Sequence, residues 1–211
     1  MQGVYFISGI DTDIGKSIAT GIIAKRLLAQ GISVITQKPI ETGNQTISQD
    51  IMTHRRLMGC DLLPQDYERL TMPVLLPYPA SPHLSAKLAN QTIDFQQITT
   101  STKKLADLYQ VVLVEGAGGL MVPLTDTLLT IDYVAQCGYR VILVTSGRLG
   151  SINHTLLSLQ ALKARDICVH ALAYNEYHDG DGVIANDTKN YLQAYLSQHH
   201  PQTHFWQIPS V

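Results

Sequence analysis

The chain has 211 residues, 45% of them hydrophobic and 15% charged, with a formal net charge of -2. This balance supplies no concentrated basic footprint, which argues against nucleic acid or an anionic membrane surface and for small-molecule partners. No apolar stretch approaches the roughly 18 residues of a membrane span, and the length suits one domain with one sizeable core.

The first apolar run, Gly3 to Ser8, reads as a strand that begins without the basic start, apolar run and cleavage site of a signal peptide. Cys60, Cys137 and Cys168 form no CxxC or Cys/His pattern, so the sequence predicts a cytoplasmic protein with buried, reduced thiols. A helix is expected over Lys16 to Ala29, stopped by Gly31, with a strand from Ile32 to Gln37 and a helix from Ser48 to Met58 after it. Pro64, Pro73, Pro77, Pro79 and Pro82 then rule out a continuous helix and predict a long ordered loop or lid over Leu62 to Pro82. Helices are expected over Ile93 to Leu108, Ile131 to Gln136, Ile152 to Ala164 and Val183 to Gln198. Strands are expected over Val111 to Val114, Arg140 to Thr145, Val169 to Tyr174 and, weakly, His204 to Ile208. Short apolar strands alternating with helices predict an α/β fold, a single-domain three-layer α/β/α arrangement with a mainly parallel sheet. In such sheets ligands sit beyond the carboxyl ends of the strands, so the residues after each strand are where function belongs.

After the first strand stands Gly9-Ile10-Asp11-Thr12-Asp13-Ile14-Gly15-Lys16-Ser17, followed by an apolar helix. A glycine turn between strand and helix lets backbone N–H groups and the helix dipole face a phosphate, while the lysine reaches it and the hydroxyl ligates magnesium. Five residues separate Gly9 from Gly15, one more than the strict phosphate-loop pattern has. Lys38-Pro39-Ile40-Glu41-Thr42-Gly43 follows the second strand, and a lysine at a central strand end asks for an anion to meet it. Glu115-Gly116-Ala117-Gly118-Gly119 follows the next strand, where an acid near a phosphate loop suits a magnesium-directed role. Asp50 taken alone is a solvated helix acid, and His199, His200 and His204 read as solvated tail rather than a metal cluster.

Together with Ser81 to His83, Leu149 to His154 and Asn175, these pieces occur in an order that resembles the dethiobiotin synthetase family over nearly the whole chain. The resemblance implies a phosphate-loop NTPase-like ligase that uses ATP and Mg²⁺ to close a urea ring on 7,8-diaminononanoate with carbon dioxide. It implies nucleotide binding by Asp13, Ile14, Gly15, Lys16, Ser17 and Ile18, an adenine contact at Asn175, and a loop over the base around Pro209. Ser17, Asp50 and Glu115 match the metal ligands; Thr12, Lys16 and Lys38, with Thr42, match the surroundings of the carbamate and the transferred phosphoryl group. Gly118 falls among the substrate contacts, and Gly150, Ser151 and Asn153 match the part that holds the substrate carboxylate from the neighbouring subunit of a homodimer. Two rivals remain open. A nucleotide-switched ATPase of the partitioning type shares sheet and loop but carries a lysine where Ile10 stands. A related ligase with another acid substrate usually brings an added glutamine-handling domain.

Overall fold

The computed structural model describes residues 1–178 and 180–210. The chain begins with β1 (Gly3–Gly9), α1 (Lys16–Ala29), β2 (Val34–Gln37), β3 (Ile40–Thr42) and α2 (Gln49–Met58), then α3 (Pro64–Tyr67), β4 (Val74–Leu76) and α4 (Pro82–Leu88). It continues through α5 (Phe95–Leu108), β5 (Val111–Gly119), α6 (Thr130–Cys137), β6 (Arg140–Ser146) and α7 (Ser151–Lys163), and ends with β7 (Val169–Asn175), α8 (Gly182–His199) and β8 (His204–Ile208). Six strands form one sheet in the order β2-β5-β1-β6-β7-β8, and every pairing in it is parallel.

Two apolar cores follow from the period-two alternation of strands covered on both faces. Tyr5 and Ile7 of β1, Leu113 of β5 and Val144 of β6 face α1, meeting Ala19, Ile22, Ile23 and Leu27. Phe6, Val112, Val114 and Leu143 face the other way, onto Ile98 of α5, Val134 of α6, Leu159 of α7 and Leu192 of α8. This is the expected three-layer α/β/α arrangement. All strand carboxyl ends point to one rim, and the chain leaves β1 toward β2 on one side and reaches β6 on the other. A crevice therefore opens at the reversal of strand order, where ligands bind in such sheets.

The proline-rich stretch between Leu62 and Pro82 is more structured than an ordered loop. It holds α3 and the short β4, which pairs in parallel with β3 through Ile40 with Val74 and Thr42 with Leu76. A buried ion pair pins it. The Arg55 guanidinium, 2% exposed, donates from Nε and Nη2 to the two oxygens of Asp66 at 2.8 and 2.7 Å, and from Nη1 to Thr36 Oγ1 at 2.9 Å. Asp66 in turn accepts from Leu63 N and Thr71 Oγ1, both at 2.7 Å. Burial pushes the Asp66 carboxyl up, but Arg55 and the other donors hold it below its ordinary value. Thr71 O then accepts from Lys38 N at 2.7 Å, so the anchored segment carries the strand-end lysine.

Two expectations need correction. Cys60 and Cys168 are exposed and Cys137 is half-buried. The first follows the capping Gly59 of α2 and the second lies in the turn before β7, so both sit in surface connections rather than in the core. The C-terminal histidines His199 and His204 are solvent-exposed as expected, but they belong to regular elements rather than to a tail. His199 closes α8 with its ring 4.5 Å from that of Tyr195, and His204 opens β8 with its ring stacked on Trp206. No helix among the described residues is long and apolar enough to cross a membrane.

Removing one partner of a buried ion pair leaves an uncompensated charge. Arg55→Leu is expected to cost about 3–5 kcal/mol, read as a fall in the denaturant midpoint with an unchanged slope; a midpoint within error of the wild type would remove this pair as the anchor of the segment.

Candidate active site

The turn from β1 into α1 is shaped by Gly15 in the left-handed region, with φ +84°. A Cβ at this position would lie 2.1 Å from Asn175 Nδ2, so glycine is required by contact as well as by conformation. Asn175 is fully buried, and its Nδ2 donates to Ile14 O at 2.9 Å, clamping the loop to the end of β7. Ile14 packs its side chain into the core beneath the loop. No side chain among the described residues caps α1, and its first turn carries no acid. Its terminal N–H groups and positive dipole end are therefore left for an anion. Lys16 folds back over the loop, donating from Nζ to Asp11 O at 3.1 Å. Burial lowers its pKa from the ordinary lysine value, as does the nearby Lys38, while Glu115 and Asp50 work in the other direction.

Beside the loop, two carboxylates, a hydroxyl and an ammonium converge from four elements. Ser17 Oγ donates to Asp50 Oδ1 at 2.5 Å and lies 2.9 Å from Glu115 Oε1. Lys38 Nζ lies 2.6 Å from Asp50 Oδ2 and 3.2 Å from Glu115 Oε1, and donates to Gly116 O at 3.1 Å. Desolvation would depress the Lys38 pKa, but the Glu115 and Asp50 carboxylates more than offset it and hold the ammonium well above its ordinary value. Burial likewise pushes Glu115 up, and Lys38, His54 and Lys16 bring it well below the usual carboxylate range. The remaining oxygen of Glu115 meets Thr20 Oγ1 at 2.9 Å and His54 Nε2 at 2.8 Å. Glu41, whose pKa burial raises, caps the start of α2 by accepting from Ser48 Oγ and from Gln49 N.

These groups line a cleft of about 570 Å³ at the rim of the sheet. Its donors suit magnesium: hard oxygens from one hydroxyl and two acids, a set that water and phosphate oxygens complete. Among the described residues no group of three or more His, Cys, Asp or Glu is placed to hold an ion, so the donors are not those of a closed all-protein cage.

Thr12, Asp13, Gly15, Lys16, Ser17 and Ile18 all line this cleft, as do Lys38, Thr42, Asp50, Glu115 and Gly118. Asn175 and Pro209 do not line it: Asn175 is buried beneath the loop it clamps and pairs with Ile208, and Pro209 follows, exposed. Gly150, Ser151 and Asn153 do not line it. Gly150 caps α7 with φ +93°, Ser151 is buried against Ser146, and Asn153 is exposed on the helix's first turn. The β6–α7 turn still reaches the loop, because Arg148 pairs with Asp11. Thr20, His54 and the capping role of Glu41 were not evident from the sequence. Two of them carried a spacing signal: Thr20 stands three residues after Ser17, and His54 four after Asp50, each on the same helix face.

Over residues 3–210 the chain matches a family described as an AAA domain. It is 52% identical over 205 residues to the ATP-dependent dethiobiotin synthetase BioD 2 of Pasteurella multocida, a match covering 97% of this chain and 96% of the relative. The chain belongs to the dethiobiotin synthetase family. The BioD 2 protein of Haemophilus ducreyi is similar at 51% identity over 205 residues, 97% of each chain. Membership in the dethiobiotin synthetase family makes this chain an ATP-dependent ligase and disfavours the switch ATPase. The structure of pNOB8 ParA bound to nonspecific DNA superposes with a TM-score of 0.55 at 14% identity, covering 96% of this chain and 78% of that one. That likeness concerns the phosphate-loop NTPase fold alone.

Gly15→Ala forces a methyl group onto Asn175 and a side chain into left-handed backbone. It is expected to weaken ATP binding at least about 10-fold and to lower stability by about 1–3 kcal/mol, measured by titration calorimetry and thermal unfolding. Wild-type affinity in this variant would show that the clamp does not shape the phosphate site.

Proposed function

We propose that this chain, acting as one phosphate-loop ligase domain, makes dethiobiotin from 7,8-diaminononanoate, carbon dioxide and ATP. The reading is carried by one observation: two lysines and the Ser17, Asp50 and Glu115 oxygens converge beside an uncapped helix N-terminus. An amine of the substrate takes up carbon dioxide and loses a proton to become a carbamate. A carbamate oxygen attacks the γ-phosphorus and ADP departs, leaving a carbamic-phosphoric anhydride. The second amine attacks the anhydride carbonyl, closes the ring and expels phosphate.

Charge gathers on the transferred phosphoryl oxygens, so positioning and electrostatic stabilisation carry most of the rate. Lys16 is placed to meet the β- and γ-phosphates, and loop N–H groups from Asp13 to Ile18 cradle them. Lys38, whose ammonium the neighbouring carboxylates favour, lines the cleft with Thr12, Thr42 and Gly118, and in this reading they surround the carbamate. Ser17, Asp50 and Glu115 would hold Mg²⁺, which would offset the negative charge of the phosphate groups. In this reading Asn175 and Pro209 belong to the adenine end.

The assay is ADP release by purified protein with magnesium, bicarbonate and the diamino acid, against each omission. Turnover is expected to require all three, because the attacking oxygen exists only once the carbamate has formed, and Lys16→Ala is expected to lower it by about 100-fold or more. Substantial ATPase without diamino acid and bicarbonate would return the switch protein to first place.

The substrate carboxylate belongs, in this reading, to Gly150, Ser151 and Asn153 of a second copy in a two-fold dimer. Two features support it: these residues form the start of a 13-residue helix suited to a carboxylate, and they lie outside the cleft of their own chain. Lys16→Ala and Asn153→Ala proteins, each impaired alone, are refolded together in equal amounts. Half the dimers are then mixed, each with one intact site, restoring roughly a quarter of wild-type activity. Mixing that restores nothing, with subunit exchange demonstrated, would sink the shared site.

A further inference from the structure

Glu115 is 1% exposed, and its contacts divide by oxygen. Oε1 faces Ser17 and Lys38, and so the cleft. Oε2 is turned inward, accepting from Thr20 Oγ1 at 2.9 Å and meeting His54 Nε2 at 2.8 Å. His54 is fully buried, and its other ring nitrogen, Nδ1, has no hydrogen-bond partner. A buried imidazole with one unpaired nitrogen carries a desolvation cost that an apolar side chain of similar size would not. Among the described residues, the side-chain contact that compensates is the one to Glu115. His54 also stands four residues after Asp50, on the same face of α2.

We propose that His54 is a positioning residue for the metal-binding acid: its Nε2–H holds Oε2 of Glu115 inward and thereby aims Oε1 into the cleft. One helix then sets both acids, Asp50 directly and Glu115 through the imidazole. Thr20 shares the load from α1, one turn after Lys16, whose carbonyl its hydroxyl also meets at 2.8 Å. A ligating carboxylate left free to rotate binds its ion less well, and loss of such an outer partner typically costs about 10–100-fold in metal affinity. This inference rests on the reading of Ser17, Asp50 and Glu115 as the metal ligands.

The test is titration calorimetry of Mn²⁺ into protein loaded with a non-hydrolysable ATP analogue, excess analogue removed, with thermal unfolding and the Mg²⁺ dependence of turnover measured beside it. Three variants are compared. H54Q keeps an N–H that reaches Oε2, H54N keeps an amide too short to reach it, and H54L keeps none. Expected are Mn²⁺ dissociation constants raised about 10- to 100-fold in H54N and H54L, and within a few-fold of wild type in H54Q. The Mg²⁺ concentration for half-maximal turnover should rise with them, while kcat at saturating Mg²⁺ changes much less. If H54L does not fold, the H54Q and H54N pair still decides, because both are polar and differ only in reach. Folded H54N that binds Mn²⁺ as tightly as H54Q overturns the proposal. D50N separates the two levels: loss of Mn²⁺ binding there with none in H54N rejects the role of His54 alone, whereas wild-type binding in D50N rejects the metal site and this inference together.

Discussion

A carboxylate buried within a central strand must be surrounded by donors or lose its charge, and Glu115 imposes that demand on the elements around it. Its four side-chain partners come from α1, α2 and the end of β2: Ser17 and Thr20, His54, and Lys38. Each element is thereby fixed in rotation and height against β5. α1 must present Ser17 and Thr20 on one face, and α2 must lie close enough for His54 to reach the strand. Gly21 lets the helices meet, since a Cβ there would lie 2.7 Å from Leu57 Cδ1. A polar cluster so connected is stable only when it is nearly complete, and its geometry is correspondingly specific.

The second anchor lies one residue along α2. Arg55, the residue after His54, closes on Asp66, tying down the segment that carries α3 and β4. That segment hands a hydrogen bond to Lys38 N, so the lysine's backbone is held from the loop and its ammonium from the acids. The proline-rich region thus backs Lys38 from behind the residues that line the cleft. The position of Lys38 depends on a buried ion pair that does not line the cleft.

The sequence made the frame legible because parallel strands covered on both faces are short apolar runs, and helices between them carry capping signals. The span Lys16–Ala29 agrees to the residue, and Ser48 and Asp94 cap α2 and α5 by accepting from Ile51 N and Gln97 N. β5 runs on to Gly119, past the expected end at Val114, because its glycines pack where side chains cannot: a Cβ at Gly116 would lie 2.6 Å from the Phe6 ring. β3 and β4 escaped notice since each has three residues beside prolines and gains its strand character only from the other. At the site, strand-end residues could be found because topology sends them to one rim. Thr20 and His54 carried only their spacing from Ser17 and Asp50, which does not name a partner, and that partner, Glu115, lies 95 and 61 residues away.

Two lysines at one cleft would pass for duplicates, yet their surroundings separate them. Lys38 sits between two fixed carboxylates, which keep it charged against complete burial. Lys16 has a backbone carbonyl for its hydrogen bond, and burial and the neighbouring ammonium of Lys38 both lower its pKa. Among the described residues its charge forms no ion pair, so a phosphate group at the loop, as the proposed function requires, would relieve a desolvation already incurred in folding. Lys38 gains less from the nucleotide, because its charge is already compensated. Under the proposed function, binding energy would concentrate at Lys16, while Lys38 would be preorganised for charge that develops later on the reacting group.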